Sequence, residues 1–312
     1  MNILFMGTAD FSATVLKKLN TKHKITAVVT GVDKPSNRGK VIFSAVKQTA
    51  LELNIPLLQF NKVSAEGIEQ INKLNPDIVV TAAFGQILSD EFLKIPKFGT
   101  LNVHASLLPK YRGSSPIQSA ILNGDTVTGI TIMRTVREVD AGDILLAKQT
   151  EILPKETAGE LFDRLADLGG EAICEAIDLV SEGKATFVPQ NSNEATFCKM
   201  LKKESGFIDF NTSAKKLDCF VRGMTPWPSA YSYLDGKMFK FFKIEHAPEY
   251  DAIATKTVPS TVIKANIKDG LIVSCDRQAV KVIEIQPENG KRMTAVDYLK
   301  GHTVSEGARF GK

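Results

Sequence analysis

Cysteine, histidine and tryptophan are scarce in this chain of 312 residues, with four, four and one copies. Cys174, Cys198, Cys219 and Cys275 are scattered with no C-x-x-C spacing, and the histidines stand far apart at 23, 104, 246 and 302. That pattern does not make a zinc site, so no metal is expected and the cysteines read as buried free thiols. Long apolar runs are missing as well. The first one, Ile3 to Met6, is far too short for a signal-peptide core or a membrane span, and a cytoplasmic protein with no membrane association is expected. Internal repeats and low-complexity tracts are absent. The opening turn Met6-Gly7-Thr8-Ala9-Asp10 lacks the second and third glycines of the dinucleotide fingerprint, so NAD is not expected. Nor is there a strong charge of one sign. The net +4 arises entirely from residue 205 onward, where 16 Lys and Arg face 12 Asp and Glu. Solvated surface lysines account for that surplus, and so does a basic face for a polyanion.

What is present reads as a globular protein, with apolar residues at 43% and charged residues at 24%. The length suits two domains. A β-branched and aromatic run at residues 2–6, a glycine turn and an amphipathic stretch from Asp10 to Leu19 read as strand, turn and helix. Further strands are expected at residues 25–30 and 77–83, the latter an apolar run that reads as buried on both faces, with helices at 44–53 and 64–74. Such alternation predicts an α/β fold with a doubly wound, Rossmann-like and mostly parallel sheet, whose ligands gather at the carboxyl ends of its strands. Residues 156–182 form a long apolar-striped helix, expected to be interrupted at Gly169-Gly170. The polar, non-periodic residues 184–204 read as a linker, which gives domains at 1–183 and 205–312. In the second domain a helix at 213–222 precedes about five short strands, with Asp235-Gly236 and Asp269-Gly270 as hairpin turns, and these predict a small β-barrel.

The chemistry concentrates between residues 99 and 143. In the strand Gly99 to His104, side chains two apart share a face, so Asn102 and His104 project together. Asp140 lies in a connecting loop between two apolar runs. An Asn and a His at a strand end are often simply satisfied polar groups. With a carboxylate added, they are also the parts needed when an amine attacks a carbonyl: a donor for the oxyanion and a group to manage the proton.

Asn102-Val103-His104, Ser106-Leu107-Leu108-Pro109, Arg112-Gly113 and Asp140-x-Gly142-Asp143 together resemble the formyltransferases that use 10-formyltetrahydrofolate. The likeness continues in residues 3–11, residues 33–40, Phe84 to Leu88, and Pro226-Trp227-Pro228. Ala9, Ala105, Val136 and Glu138 depart from the family's usual residues. The resemblance implies 10-formyltetrahydrofolate as co-substrate and an OB-like second domain that binds tRNA. It also implies catalysis by Asn102, His104 and Asp140: Asn102 donates to the oxyanion, Asp140 holds His104 in its tautomer, and His104 donates to the same oxygen or relays the amine's proton. Phe84, Gly85, Gln86, Ile87 and Leu88, with Ser106, Leu107, Leu108 and Pro109, are implied to line the folate site, although Leu107 and Leu108 also suit plain core packing. Arg112 suits a surface position equally well. Lys34, Arg38 and Lys40 lie in a basic loop that reads as surface or, by the resemblance, as a contact to the acceptor end of initiator Met-tRNA. The implied reaction is formyl transfer to the methionyl α-amino group by a monomer. The alternative is an amino-sugar N-formyltransferase acting on a nucleotide-linked sugar, which the basic loop and the basic C-terminal third disfavour.

Overall fold

All five residues of strand β1 (Ile3–Gly7) are buried, as are all five of Ile78–Ala82, the mark of strands covered on both faces. A computed structural model describes residues 1–35 and 41–311. Its larger sheet continues with β2 (Ile25–Thr30), β3 (Leu57–Gln59), β4 (Ile78–Ala82), β5 (Thr100–His104), β6 (Val127–Arg134) and β7 (Ile144–Glu151). The strand order is β7-β6-β5-β4-β1-β2-β3, parallel from β3 to β5, with β6 antiparallel to both of its neighbours. The order reverses between β1 and β4, and this is the doubly wound arrangement expected from the sequence.

Local chemistry sets the element ends. Ser44 and Ser89 accept from the backbone N–H three residues on and cap their helices, and Asp10 and Lys22 lie at the ends of the first helix whose dipole each suits. The helix expected over 64–74 is two pieces, Val63–Glu66 and Ile68–Leu74, which meet at Gly67. Conversely, the long helix Ala158–Ser181 is continuous through Gly169-Gly170. A Cβ on Gly170 would lie 2.6 Å from Lys18 Cβ, and one on Gly169 would lie 2.9 Å from a Val103 methyl. The glycines let the helix lie close to its neighbours, and tight packing outweighs their low helix propensity.

Two compact units are present, and neither is contiguous. The first comprises residues 1–116, 127–151 and 162–199; the second comprises 117–126, 152–161 and 200–312. The expected linker 184–204 is thus divided, with everything through Lys199 packed in the first unit. In the second unit, the helix Ala214–Met224 is capped by Ser213 and buries Ala214, Leu217, Val221 and Met224 along one stripe. The antiparallel strands Ala230–Leu234, Lys237–His246, Gln278–Pro287, Gly270–Cys275 and Val262–Asn266 neighbour one another in that order. Asp235 and Gly236 both take positive φ in a two-residue hairpin turn, as their sequence promised. The last residues join the two edges of this sheet: Arg309 bridges Thr261 and Gly311 bridges Tyr233. The result is a small barrel around Phe239, Phe241 and Phe310.

Candidate functional site

β5 carries Asn102 and His104 to the carboxyl edge of the sheet, as the period of two requires. Thr81 on β4 stands in register with Asn102, and its hydroxyl donates to Asn102 Oδ1 at 2.8 Å. The acceptor end of the amide is therefore taken, which leaves Nδ2 as the end able to donate to a ligand. No hydrogen bond to Nδ2 is present among the described residues. His104 is buried, with Nε2 2.9 Å from the carbonyl oxygen of Tyr111. A carbonyl only accepts, so Nε2 carries a hydrogen and Nδ1 is the nitrogen left to exchange a proton. Asp140 Oδ2 lies 3.6 Å from Nδ1 and accepts from the backbone N–H of Gly113 at 2.7 Å.

The chain reaches that arrangement by an indirect path. β6 ends at Arg134, which pairs with Leu101, three residues before His104 along β5. The connection 135–143 must bring Asp140 back over about 10 Å of strand. Asp140 itself turns with φ of 50°. At Gly142 any Cβ would collide with the carbonyl of Arg134, so this Gly permits the close return. From outside the loop, Gln190 Nε2 donates to the carbonyls of Asp140 and Gly142 at 2.8 and 2.7 Å. Gln190 Oε1 accepts from Arg112 Nε and Nη2 at 3.1 and 2.8 Å. Arg112 is only 2% exposed, so the surface position allowed by the sequence is not the one it takes. Val136 and Glu138, where this chain departs from the family's usual residues, are both exposed.

The residues expected to line a folate site divide by what their side chains already do. Phe84 and Leu88 are buried in the core beside Met6 and Val29. Gln86 spends both ends of its amide on the backbone, accepting from Val63 N–H and donating to the Phe60 carbonyl. Gly85 turns the chain with φ of 75°, and Ile87 is 78% exposed. Ser106 is fully buried and donates to the Lys110 carbonyl, and Thr131 ties the loop down through the Ser106 carbonyl and the Leu108 N–H. Leu108 is buried, whereas Leu107 and Pro109 are half-buried. Arg38 and Lys40 lie outside the described residues, and Lys34 opens a two-residue ladder with Val41–Ile42. Just before it, Asp33 is held by Lys47 and Gln59, and the Lys47 ammonium keeps its carboxyl below the usual carboxylate range.

Three contributors escaped sequence reasoning. Thr81 gave one faint signal, a lone polar residue in an apolar strand. Gln190 gave none, and Gly113 was noted only as part of the Arg112-Gly113 motif, its amide's role unread, because the partners of both are far away in sequence. Among the described residues no group of three His, Cys, Asp or Glu is placed to hold a metal, and no helix is long and apolar enough to cross a membrane. A cavity of about 520 Å³ lies at the amino end of β5, lined by Lys97, Thr100, Arg134 and Phe187 among others, and none of the three candidate catalytic residues borders it.

Family models for formyl transferase and for the formyl transferase C-terminal domain match residues 1–177 and 200–303. The chain belongs to the formyl transferase family. Among curated relatives, this formyl transferase is 40% identical to the methionyl-tRNA formyltransferase of Agathobacter rectalis over 99% of both chains. It is 42% identical to that of Geobacter metallireducens over 100% of this chain and 99% of the relative. Solved structures share the fold. An N-formyltransferase from Helicobacter canadensis, in complex with folinic acid and dTDP-3-aminofucose, aligns with a TM-score of 0.67 at 16% identity over 90% of this chain and 98% of that one. HypX from Aquifex aeolicus, in complex with tetrahydrofolic acid, aligns at 0.63 and 16% identity over 98% of this chain and 50% of that one.

Proposed function

We propose that the chain transfers the formyl group of 10-formyltetrahydrofolate to the α-amino group of methionyl initiator tRNA in the cytoplasm. The observation that carries this reading is the identity of about 40%, over the full length of both chains, to relatives named for that reaction. The site supplies suitable chemistry. As the amine attacks the formyl carbon, a C–N bond forms and the carbonyl oxygen becomes an oxyanion, toward which Asn102 Nδ2 donates. Collapse breaks the bond to folate N10. The amine has then lost a proton and N10 has gained one, an exchange for which His104 Nδ1 and the Asp140 carboxylate are the adjacent acid–base pair. Ile87, Leu107 and Pro109 have side chains not consumed in the core and are our candidates to line the folate.

For the tRNA we assign the basic loop with Lys34, Arg38 and Lys40, together with the exposed lysines of the second unit. There Lys215 and Lys216 are exposed near the start of a helix, while Arg292 is already held by Glu284 through two contacts of 2.7 Å. The decisive assay offers 10-formyltetrahydrofolate with Met-tRNA and, in parallel, with a nucleotide-linked amino sugar. Formylation of the sugar alone overturns the proposal. For the site itself, Asn102→Ala, His104→Ala and Asp140→Ala are each expected to slow single turnover on the order of 10²- to 10³-fold with the fold retained. Rates within tenfold of wild type for all three overturn the assignment.

A further inference from the structure

We infer that Gln190 is a positioning residue, which fixes the return path of the β6–β7 connection and so sets the Asp140 carboxylate against His104. The inference rests on the catalytic reading of Asp140 given above. Every hydrogen-bonding position of the Gln190 amide that these neighbours address is used productively: two donors go to the carbonyls of Asp140 and Gly142, and its oxygen takes two N–H groups from one guanidinium. The donors clasp the loop on both sides of Ala141, next to the residue whose backbone takes the left-handed turn. Arg112 in turn holds the amide in one orientation, because a guanidinium only donates and the oxygen must face it. Glu138 also approaches Arg112, but at 3.9 Å and with a side chain 77% exposed it makes a far weaker anchor. Arg112 and Gly113 also pair with Phe197 and Cys198, so the strand that carries Gln190's anchor presents the amide that binds the Asp140 carboxylate. The catalytic carboxylate is thus held at its side chain by Gly113 and at its backbone by Gln190.

A purely structural role, satisfying the buried Arg112, is the competing account, and Gln190→Glu separates the two. The carboxylate still accepts from Arg112, and more strongly, but it has no N–H to give to the two loop carbonyls. Expected are a melting temperature near wild type, a turnover reduced on the order of 10-fold or more, and Michaelis constants for both substrates within about threefold of wild type. In an Asp140→Asn background the same change is expected to cost nothing further, because it acts through Asp140. Should Gln190→Glu not fold, the double variant Gln190→Met/Arg112→Met removes the buried charge together with its partner and carries the same expectation. Turnover within twofold of wild type for the folded variant, while Asp140→Asn alone is strongly impaired, overturns the inference. So do losses that multiply in the combined variant. Wild-type turnover by Asp140→Asn is a different result, and it overturns the catalytic reading on which the inference stands.

Discussion

Thr81→Val removes one hydroxyl and keeps the shape of a side chain that is 5% exposed. That hydroxyl lies 2.8 Å from Asn102 Oδ1 and 3.3 Å from the Leu101 carbonyl, so its hydrogen goes to the nearer acceptor, the amide oxygen. A neutral bond of this kind contributes about 0.5–1.5 kcal/mol net. Here that energy biases the Asn102 amide toward the orientation in which Nδ2 faces outward. If the whole of it appears in the barrier, the chemical step slows by about 2- to 10-fold, since each 1.4 kcal/mol is a factor of ten. Asn102→Ala, which deletes the donor itself, is expected to cost on the order of 10²- to 10³-fold, so the two variants are well separated. Because Asn102 is half-buried and its oxygen can take water, stability should change by no more than about 1 kcal/mol. Single-turnover formyl transfer with both substrates saturating reads the effect without interference from product release, and a thermal melt checks the fold. Thr81→Ser, which keeps the hydroxyl, should restore the rate to within about twofold of wild type, an expectation that rests on the same hydrogen bond. A wild-type rate for Thr81→Val would refute the orienting role. A loss as large as that of Asn102→Ala would place Thr81 in the chemistry itself.

Gly170→Ala is expected to destabilise the first unit despite alanine's better helix propensity, because overpacking at 2.6 Å from Lys18 Cβ costs about 1–3 kcal/mol against about 1 kcal/mol gained; an unchanged or raised melting temperature counts against the close-packing account. Burial, reinforced by Asp251 and Asp276, raises the Cys275 thiol from the ordinary 9.0 to about 12. The unfolded chain therefore loses this proton first, and stability should fall as pH rises from 9 toward 12, by up to about 1.4 kcal/mol per unit from this group, a slope that urea midpoints should lose in Cys275→Ala. All four cysteines are buried, so a thiol reagent at pH 8 should label the native protein slowly and the denatured protein four times. Arg38→Ala should weaken use of Met-tRNA with folate affinity unchanged, and Lys215→Glu/Lys216→Glu should lower the salt dependence of tRNA binding; an unaltered salt slope removes that helix from the interface.

Where sequence and structure agree, the deciding forces are local. β1 and β4 were legible because strands covered on both faces must be almost wholly apolar, Thr81 being the one polar side chain in β4, and the Asp235-Gly236 turn because few residues accept positive φ twice in succession. Asn102 and His104 followed from a period of two. What was not legible depends on partners distant in sequence. Gly169-Gly170 suggested a break because nothing local reveals that Lys18 and Val103 need the space. The charge of Arg112 suggested the surface, and its burial rests on Gln190, a residue 78 positions away in a stretch without periodicity. The closing segment 307–311 makes its bonds to strands that begin some 50 to 80 residues earlier, and its own pattern carries no strand signal.

The interleaving of the two units has a practical corollary for anyone who wishes to take the protein apart. The chain passes from one unit to the other five times, so no single cut yields two intact pieces. A fragment ending at Glu182 would retain Asn102, His104 and Asp140, and by inventory would count as the whole of the proposed catalytic set. It would nevertheless lack Gln190 and the strand Phe197–Cys198 that lies against Arg112–Gly113. It would also carry 117–126 and 152–161 stripped of the unit they help to build. Gene fusions, split reporters and limited-proteolysis maps should therefore treat Lys199 as the first safe boundary for the site, and should expect residues 200–312 alone to lack two segments of their own unit, 117–126 and 152–161.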